Sequence, residues 1–104
     1  MIRINVIKKN NIIYTIILKG HANYDDYGKD IVCSAVSATY LCTLNAIFSF
    51  SEDTIELDNS NNIQKIKVKT NDNITLTLLE NMIRCLENLE KQYPKNINLD
   101  KEEK

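Results

Sequence analysis

The sequence predicts an α/β (α+β) sandwich, in which two helices pack on one mixed sheet in the order β-β-α-β-β-α-β. Three observations predict this class. Short segments of alternating apolar residues are separated by asparagine-rich turns. Two longer segments repeat apolar residues every three or four positions, as helices do. The length of 104 residues suffices for one domain and not for two, so we expect a single domain over residues 1–104.

The composition indicates a globular chain. Apolar residues make up 43% of it and charged residues 26%, which argues against disorder. No apolar run approaches the roughly 20 residues of a membrane span, so we expect no membrane contact. The start of the chain does not resemble an export signal, which predicts a cytoplasmic protein with free thiols. A net charge of −1 gives no electrostatic footprint for direct binding of nucleic acid.

The first two strands are predicted to form a hairpin. Apolar residues alternate from Ile2 to Val6, which is typical of a half-buried strand. Asn10-Asn11 supplies the turn, because asparagine tolerates positive φ. A second strand follows from Ile12 to about Lys19, and Gly20 ends it. The polar residues 21–29 form a loop.

The first helix is predicted from Ile31 to about Phe50. It is apolar around most of its circumference, so we expect burial on most sides. It also has more apolar surface than one small sheet can cover, which predicts a homodimer. A stripe of small residues that allows close backbone approach consists of Ala35, Ala38, Cys42, Ala46 and Ser49, and a stripe of large residues consists of Val36, Tyr40, Thr43, Ile47 and Phe50.

The second half of the chain repeats the strand, strand, helix order. A short strand from Thr54 to Asp58 and a strand over residues 63–68 flank a turn at 59–62. Apolar residues at helical spacing predict a second helix from about Asn73 to Tyr93.

The ends of the second helix and of the chain carry their own signals. Asn71 or Asp72 caps the second helix, and Pro94 ends it. Residues 96–100 alternate again and predict an edge strand, after which residues 101–104 form a frayed tail.

The residues with catalytic potential lie between the second strand and the first helix. If Asp30 is the N-cap, Cys33 is the third helical residue, where the helix dipole and free N–H groups stabilise a thiolate. His21, the one histidine of the chain, ends the preceding strand. The loop between them can return the helix start to the strand end, so that the imidazole takes the thiol proton. The alternative is a buried structural cysteine and a solvated histidine.

The neighbouring residues suggest supporting roles. Asp30 and Ser37 are the local candidates for a third, orienting group. Gly28 can serve as a hinge for a loop that closes over substrate, although a merely mobile surface loop fits the same composition. Tyr24 and Tyr27 in this loop are candidates for contacts with aromatic side chains of a substrate. Backbone N–H groups at the start of the first helix are the predicted oxyanion donors.

The remaining cysteines and lysines give only weak evidence for other kinds of site. The three cysteines and one histidine lack the paired close spacing of a zinc site, and no glycine-rich phosphate loop is present, so we expect neither metal nor cofactor. Cys42 and Cys85 are assigned to packing. Lys65, Lys67 and Lys69 alternate along one strand and indicate a solvated face, or alternatively a strip that contacts RNA.

A family resemblance rests on these same residues. Gly20-His21-Ala22, then Gly28, then the run Asp30-Ile31-Val32-Cys33-Ser34-Ala35-Val36-Ser37 resembles the signature of Prp, the ribosomal-processing cysteine protease family of bacteria. The element order and the helix ending at residues 92–94 are also similar to that family. Ser34 departs from the family, which often has alanine there.

The resemblance implies an activity and a partner. Members are small homodimeric cysteine endopeptidases that remove a short N-terminal extension from a large-subunit ribosomal protein precursor, cutting after an aromatic pair and before a small residue. His21 matches the catalytic histidine and Cys33 the nucleophile. Asp30 and Ser37 match positions near this pair, and Gly28 matches the loop glycine that lets the lid move.

Two other functions remain open on the residues alone. One is a non-catalytic, ribosome-associated binding module of the same fold, in which Cys33 is a packing residue that reacts slowly with alkylating agents. The other is a thiol redox sensor, which would form a disulfide between Cys33 and Cys42 or Cys85.

Overall fold

The computed structural model describes residues 1–26 and 28–104, and within them two helices cover one face of a five-stranded sheet. The predicted fold class and element order are confirmed. The strands are β1 (Ile2–Lys9), β2 (Ile12–Lys19), β3 (Ile55–Ser60), β4 (Ile63–Val68) and β5 (Ile97–Glu103), and the helices are α1 (Ile31–Phe50) and α2 (Asn73–Gln92).

The strand order across the sheet is β3-β4-β2-β1-β5. Neighbours are antiparallel except β1 and β5, which run parallel and make the sheet mixed. Each hairpin turns through two asparagines with positive φ, at 52° and 64° for Asn10 and Asn11 and at 49° and 64° for Asn61 and Asn62. Such turns match the right-handed twist of the flanking strands. The turn predicted over residues 59–62 is therefore too wide, because Asn59 and Ser60 still pair with β4.

The core lies between the sheet and the two helices. Alternate residues of β1 enter it, β2 adds Ile13, Ile16 and Leu18, and α2 contributes one fully buried stripe, as its spacing predicts. Asp72, one of the two predicted caps, accepts a hydrogen bond from the backbone N–H of Thr75 at 2.9 Å and so fixes the start of α2. The least exposed large side chains include Ile4, Ile16, Ile66, Leu79, Met82 and Leu86.

Helix α1 departs from its prediction, because it is buried on one side only. Its buried face consists of Val32, Val36, Tyr40, Thr43, Leu44 and Ile47. The stripe of small residues faces outward instead of toward the core, and Cys42 on it is exposed, so its assignment to packing is wrong. Cys85 on α2 is half-buried, and its assignment to packing stays a prediction. Large apolar side chains at the edges of the outward face of α1 are also exposed, including Ile31, Leu41, Phe48 and Phe50.

Helix α1 also contradicts the expectation that no apolar stretch of the chain is long enough to span a membrane. It has 20 residues, none of them charged, and its mean hydropathy reaches 1.7, so by length and composition alone it could cross a membrane. In the fold it packs against α2 and supplies five of its 20 residues to the core, which is the position of a core helix in a two-layer sandwich.

The chain end is ordered in β5 and not frayed as predicted. Lys101, Glu102 and Glu103 pair with Val6, Ile7 and Lys8 of β1. The backbone N–H of Lys104 then donates to the Lys8 carbonyl at 2.8 Å. The tail is held because β1 is long enough to pair with it over its whole length, which the local pattern of residues 101–104 does not indicate.

Candidate active site

His21 follows the end of β2, and Cys33 lies in the first turn of α1. Gly20 directly follows β2 with a φ of +90°. A Cβ atom built on Gly20 would lie 2.5 Å from the backbone carbonyl oxygen of Met1. Both the backbone conformation and the close approach of β1 therefore require glycine here. This constraint sets the direction in which the chain leaves the sheet toward His21.

Asp30 joins the loop to the helix. Its Oδ1 accepts from the backbone N–H groups of Val32 and Cys33, both at 3.0 Å, which confirms it as the N-cap of α1. Its Oδ2 accepts from the backbone N–H groups of Tyr24 and Asp25 at 2.9 and 3.3 Å. One buried carboxylate thus fixes the helix start and the loop relative to each other.

The same contacts determine the charge state of Asp30. Burial by itself raises the pKa of this carboxyl, but the hydrogen bonds from Cys33, Tyr24, Asp25 and Val32 together outweigh it and lower the pKa below its ordinary value of 3.8. Asp30 is therefore ionised at neutral pH. Its negative charge lies one helical turn from the Cys33 thiol.

The Cys33 sulfur has a defined backbone neighbour. The backbone N–H of Ala22 donates to Cys33 Sγ at 3.2 Å, and an N–H in this position stabilises negative charge on sulfur. The carbonyl of Ala22 accepts from the side-chain amide of Asn96 at 2.9 Å. Asn96 in turn accepts from the backbone N–H of Ile2 at 2.8 Å. The residue after His21 is thus held between the nucleophile candidate and the start of β5.

His21 and Cys33 line one cavity, and their pairing as base and nucleophile stays a prediction. The His21 side chain is exposed and the Cys33 side chain is half-buried, and both line an open cavity of about 790 Å³. Among the described residues no hydrogen bond joins the two side chains. Catalytic hydrogen bonds are often long in the free enzyme and tighten when substrate binds.

Further residues line this cavity from three parts of the fold. Ser37 follows Cys33 by one helical turn, is exposed and borders the cavity, as do Gly28 and Asp25 of the loop. The end of the β3–β4 hairpin contributes the side-chain amides of Asn59, Asn62 and Gln64. The cavity lining therefore combines apolar side chains with a few polar amides, which is typical of ligand-binding clefts.

The loop residues occupy different positions. Tyr24 is exposed, and its ring packs edge-on against Tyr93 with centroids 5.4 Å apart, so that it anchors the loop to the end of α2. It is not among the described residues that line the cavity. Tyr27 lies outside the described residues. Gly28 has a φ of +85° with open space around it, so it serves the backbone conformation and not packing. A hinge role for Gly28 stays a prediction.

The predicted oxyanion donors at the start of α1 are occupied. The N–H groups of Val32 and Cys33 donate to the Asp30 side chain, and the N–H of Ser34 donates to the Asp30 carbonyl at 3.1 Å. The assignment of Asp30 as the N-cap already indicates this, because a capping side chain accepts hydrogen bonds from the first free N–H groups of the helix. In the described part of the chain, no group of three or more His, Cys, Asp or Glu side chains is arranged to hold a metal ion.

Comparison with known proteins identifies the family. The profile of the family described as cysteine protease Prp matches residues 1–98. The ribosomal processing cysteine protease Prp of Staphylococcus aureus is 32% identical over 88 residues, which cover 82% of this chain and 83% of that protein. The chain belongs to the Prp family. It is accordingly a cysteine peptidase, and the non-catalytic binding module is set aside.

Solved structures of Prp relatives share the fold. The Prp of S. aureus with a covalently linked product peptide superposes with a TM-score of 0.93 at 25% identity, covering 98% of this chain and all of that one. The same enzyme with a substrate peptide gives a TM-score of 0.86 at 24% identity, with the same coverage. A Streptococcus mutans protein gives a TM-score of 0.82 at 27% identity, covering 100% of this chain and 96% of that one.

Proposed function

We propose that this chain is an endopeptidase that removes the N-terminal extension of a large-subunit ribosomal protein precursor, with Cys33 as nucleophile and His21 as general base and acid. The observation that carries this proposal is the joint position of the two side chains on one open cavity, with the Ala22 N–H directed at the Cys33 sulfur. The S. aureus relative is a ribosomal processing protease that has been crystallised with a substrate peptide and with a covalently linked product peptide.

The reaction follows from the two groups. His21 takes the proton of the Cys33 thiol, and the sulfur attacks the scissile carbonyl carbon to form a tetrahedral intermediate. The C–N bond then breaks as His21 gives its proton to the leaving amine. The remaining thioester is attacked by water, which transfers a proton to His21. Release of the new carboxylate restores the thiol.

The Ala22 N–H is our candidate for the oxyanion donor. It already lies at hydrogen-bond distance from the sulfur, so a carbonyl carbon bonded to that sulfur brings its oxygen close to the same N–H. Asn96 holds the Ala22 peptide from the other side and keeps this donor oriented. Because α1 offers its own first N–H groups to Asp30, the loop supplies the donor in place of the helix.

The contacts of the neighbouring residues suggest their supporting roles. Asp30 acts as a positioning residue, because it holds Cys33 and the loop through four backbone hydrogen bonds. Ser37 borders the cavity one turn beyond the nucleophile and is a candidate for a substrate contact. Gly28 permits the loop to move over bound peptide. Tyr24 and Tyr27 are proposed to meet aromatic side chains of the substrate after that movement.

The assembly and location are further parts of the proposal. The outward face of α1 combines small residues with the exposed side chains of Ile31, Leu41, Phe48 and Phe50, and a second copy of the chain would bury these apolar groups. We therefore propose a cytoplasmic homodimer. Light scattering should give a mass near 24 kDa at micromolar concentration, twice the 12.0 kDa of the chain. A stable 12.0 kDa species would contradict the dimer.

The cleavage reaction can be tested on the organism's own precursor. Purified wild-type protein, Cys33→Ala, His21→Ala and the matched control Cys42→Ala are incubated with the precursor, and the products are identified by mass. The proposal predicts one N-terminal cut with the wild type and with Cys42→Ala, and none with the other two. A cut that survives Cys33→Ala, or no cut by the folded and reduced wild type, would contradict it.

A further inference from the structure

Tyr40 is a cavity residue that the proposed reaction does not use. It lies on α1 seven residues after Cys33, which is about two helical turns or about 10 Å along the axis. The residue lines the same cavity as His21 and Cys33 and is only 6% exposed. Its hydroxyl oxygen is fully buried, and no other residue in the 1–26 and 28–104 ranges offers it a hydrogen bond.

An unpaired buried hydroxyl is unusual and unfavourable. Nearly all buried side-chain polar atoms in folded proteins have a hydrogen-bond partner, and phenylalanine would fill the same volume without a polar atom. Burial raises the pKa of the Tyr40 phenol, so the group keeps its proton at neutral pH and remains a donor. The position thus holds an unused donor beside the cavity.

The cavity offers one class of acceptor when it is filled. Its lining includes the apolar Ile2, Leu18 and Val36, and the amide side chains of Asn59, Asn62 and Gln64, which also line it, make no hydrogen bond with the Tyr40 hydroxyl. An extended peptide that runs along α1 advances about 3.3 Å per residue, so the spacing of about 10 Å between the Cys33 and Tyr40 positions on the helix corresponds to about three of its residues. Main-chain carbonyls occur at each of these residues regardless of the side chains.

We propose that the Tyr40 hydroxyl donates a hydrogen bond to a main-chain carbonyl of the bound peptide, within about three residues of the scissile bond. This makes Tyr40 a substrate-binding residue, and the proposal rests on the peptidase function proposed above. Because the hydroxyl is covered in the free chain, the cavity wall must shift as the peptide enters. Gly20, His21, Asn23 and Asp25, which line part of that cavity, lie outside the helices and strands, so no regular backbone ladder holds them against the shift.

A second copy of the chain does not supply the missing partner. Tyr40 belongs to the buried face of α1 with Val36 and Leu44. Leu41, at the edge of the face proposed for the dimer, lines the cavity, but the small residues Ala38 and Cys42 of that face are exposed on the other side of the helix. A protein that docks there would leave the Tyr40 hydroxyl as it is.

The test compares Tyr40→Phe with Tyr14→Phe, which removes the same atom from a tyrosine 42% exposed on β2. The probe is a synthetic peptide that spans the precursor's cleavage site. Cleavage kinetics are measured in otherwise wild-type protein, and peptide affinity is measured by calorimetry in the inactive Cys33→Ala background. The proposal predicts that Tyr40→Phe raises KM and Kd about 3- to 10-fold with little change in kcat, while Tyr14→Phe changes neither.

Stability of the free protein provides an independent readout. Removing an unpaired buried hydroxyl should leave the melting temperature of Tyr40→Phe equal to or above that of the wild type. A lower melting temperature would show that the hydroxyl has a partner in the free chain and would contradict the proposal. So would an unchanged KM and Kd in an enzyme that cleaves through Cys33. If the wild type neither cleaves nor binds the peptide, the peptidase function fails, and the role of Tyr40 fails with it.

Discussion

Two glycines with nearly the same backbone conformation allow the architecture of the site to be tested by one substitution. Gly20 has a φ of +90° and Gly28 a φ of +85°, so alanine is strained at both. At Gly28 nothing lies within 4 Å of the added Cβ. At Gly20 that atom would lie 2.5 Å from the Met1 carbonyl oxygen. The pair therefore separates the effect of conformation from the effect of contact.

The expected magnitudes follow from these two terms. A left-handed conformation destabilises alanine by about 1–2 kcal/mol, and the smaller entropy of the unfolded alanine chain returns about 0.4–1 kcal/mol. Gly28→Ala should therefore lose about 0.5–1 kcal/mol. Gly20→Ala must also displace the Met1 carbonyl or the end of β2, and overpacking of this kind adds about 1–3 kcal/mol, for a total of about 1.5–4 kcal/mol.

Urea denaturation followed by circular dichroism measures both variants. The Gly20→Ala midpoint should fall by several times as much as the Gly28→Ala midpoint. Gly20→Ala should also reduce cleavage, because His21 is its direct neighbour. Equal losses of unfolding free energy in the two variants would refute the reasoning. They would show that the close approach of Met1 does not exclude a Cβ atom at residue 20.

The remaining predictions concern the caps and the core. Asp30→Asn should fold but lower kcat/KM about 10- to 100-fold. The amide nitrogen cannot accept hydrogen bonds from the loop N–H groups, so the loop is no longer held against Cys33, and a misplacement of about 1 Å has an effect of this size. An unchanged kcat/KM would refute the positioning role. The pKa values of Asp30, buried but held by four backbone N–H groups, and of Asp72, held by Thr75, are both lowered. Their stabilisation should therefore be complete above about pH 4 and be lost as the pH falls through the lowered values, so the urea midpoint of the wild type should decline below pH 4 more steeply than that of the Asp30→Asn, Asp72→Asn double variant. Leu86→Ala removes a side chain that is 0% exposed and should lose about 2–5 kcal/mol, whereas a loss below 1 kcal/mol would mean that α2 packs differently.

The sequence predicted most of the elements because their signals are local. Both helix starts follow from a capping aspartate, and the end of α2 precedes Pro94. The hairpin turns follow from asparagine pairs that tolerate positive φ. His21 and Cys33 could be placed near each other for the same reason, since a strand end and the next helix start are joined by one short loop.

The features that the sequence did not reveal depend on distant contacts. Asn96 bonds the Ala22 carbonyl across 74 residues of chain, and nothing around residue 96 indicates this. The ordered tail depends on β1 as its partner. The apolar pattern of α1 shows that the helix avoids water but not whether its own chain or another covers each side. From the sequence, Tyr40 could not be distinguished from an ordinary helical tyrosine, although its hydroxyl has no partner among residues 1–26 and 28–104.

The most direct test of the central claim is to capture the covalent intermediate on Cys33. The wild type and Cys42→Ala are mixed with precursor peptide, quenched in acid within milliseconds to seconds, and analysed by intact mass and by fragmentation. The account predicts a thioester-linked adduct equal in mass to the N-terminal fragment less one water, located on Cys33 in both proteins and absent from Cys33→Ala. An adduct on another residue, or peptide cleavage that still occurs in Cys33→Ala, would contradict it.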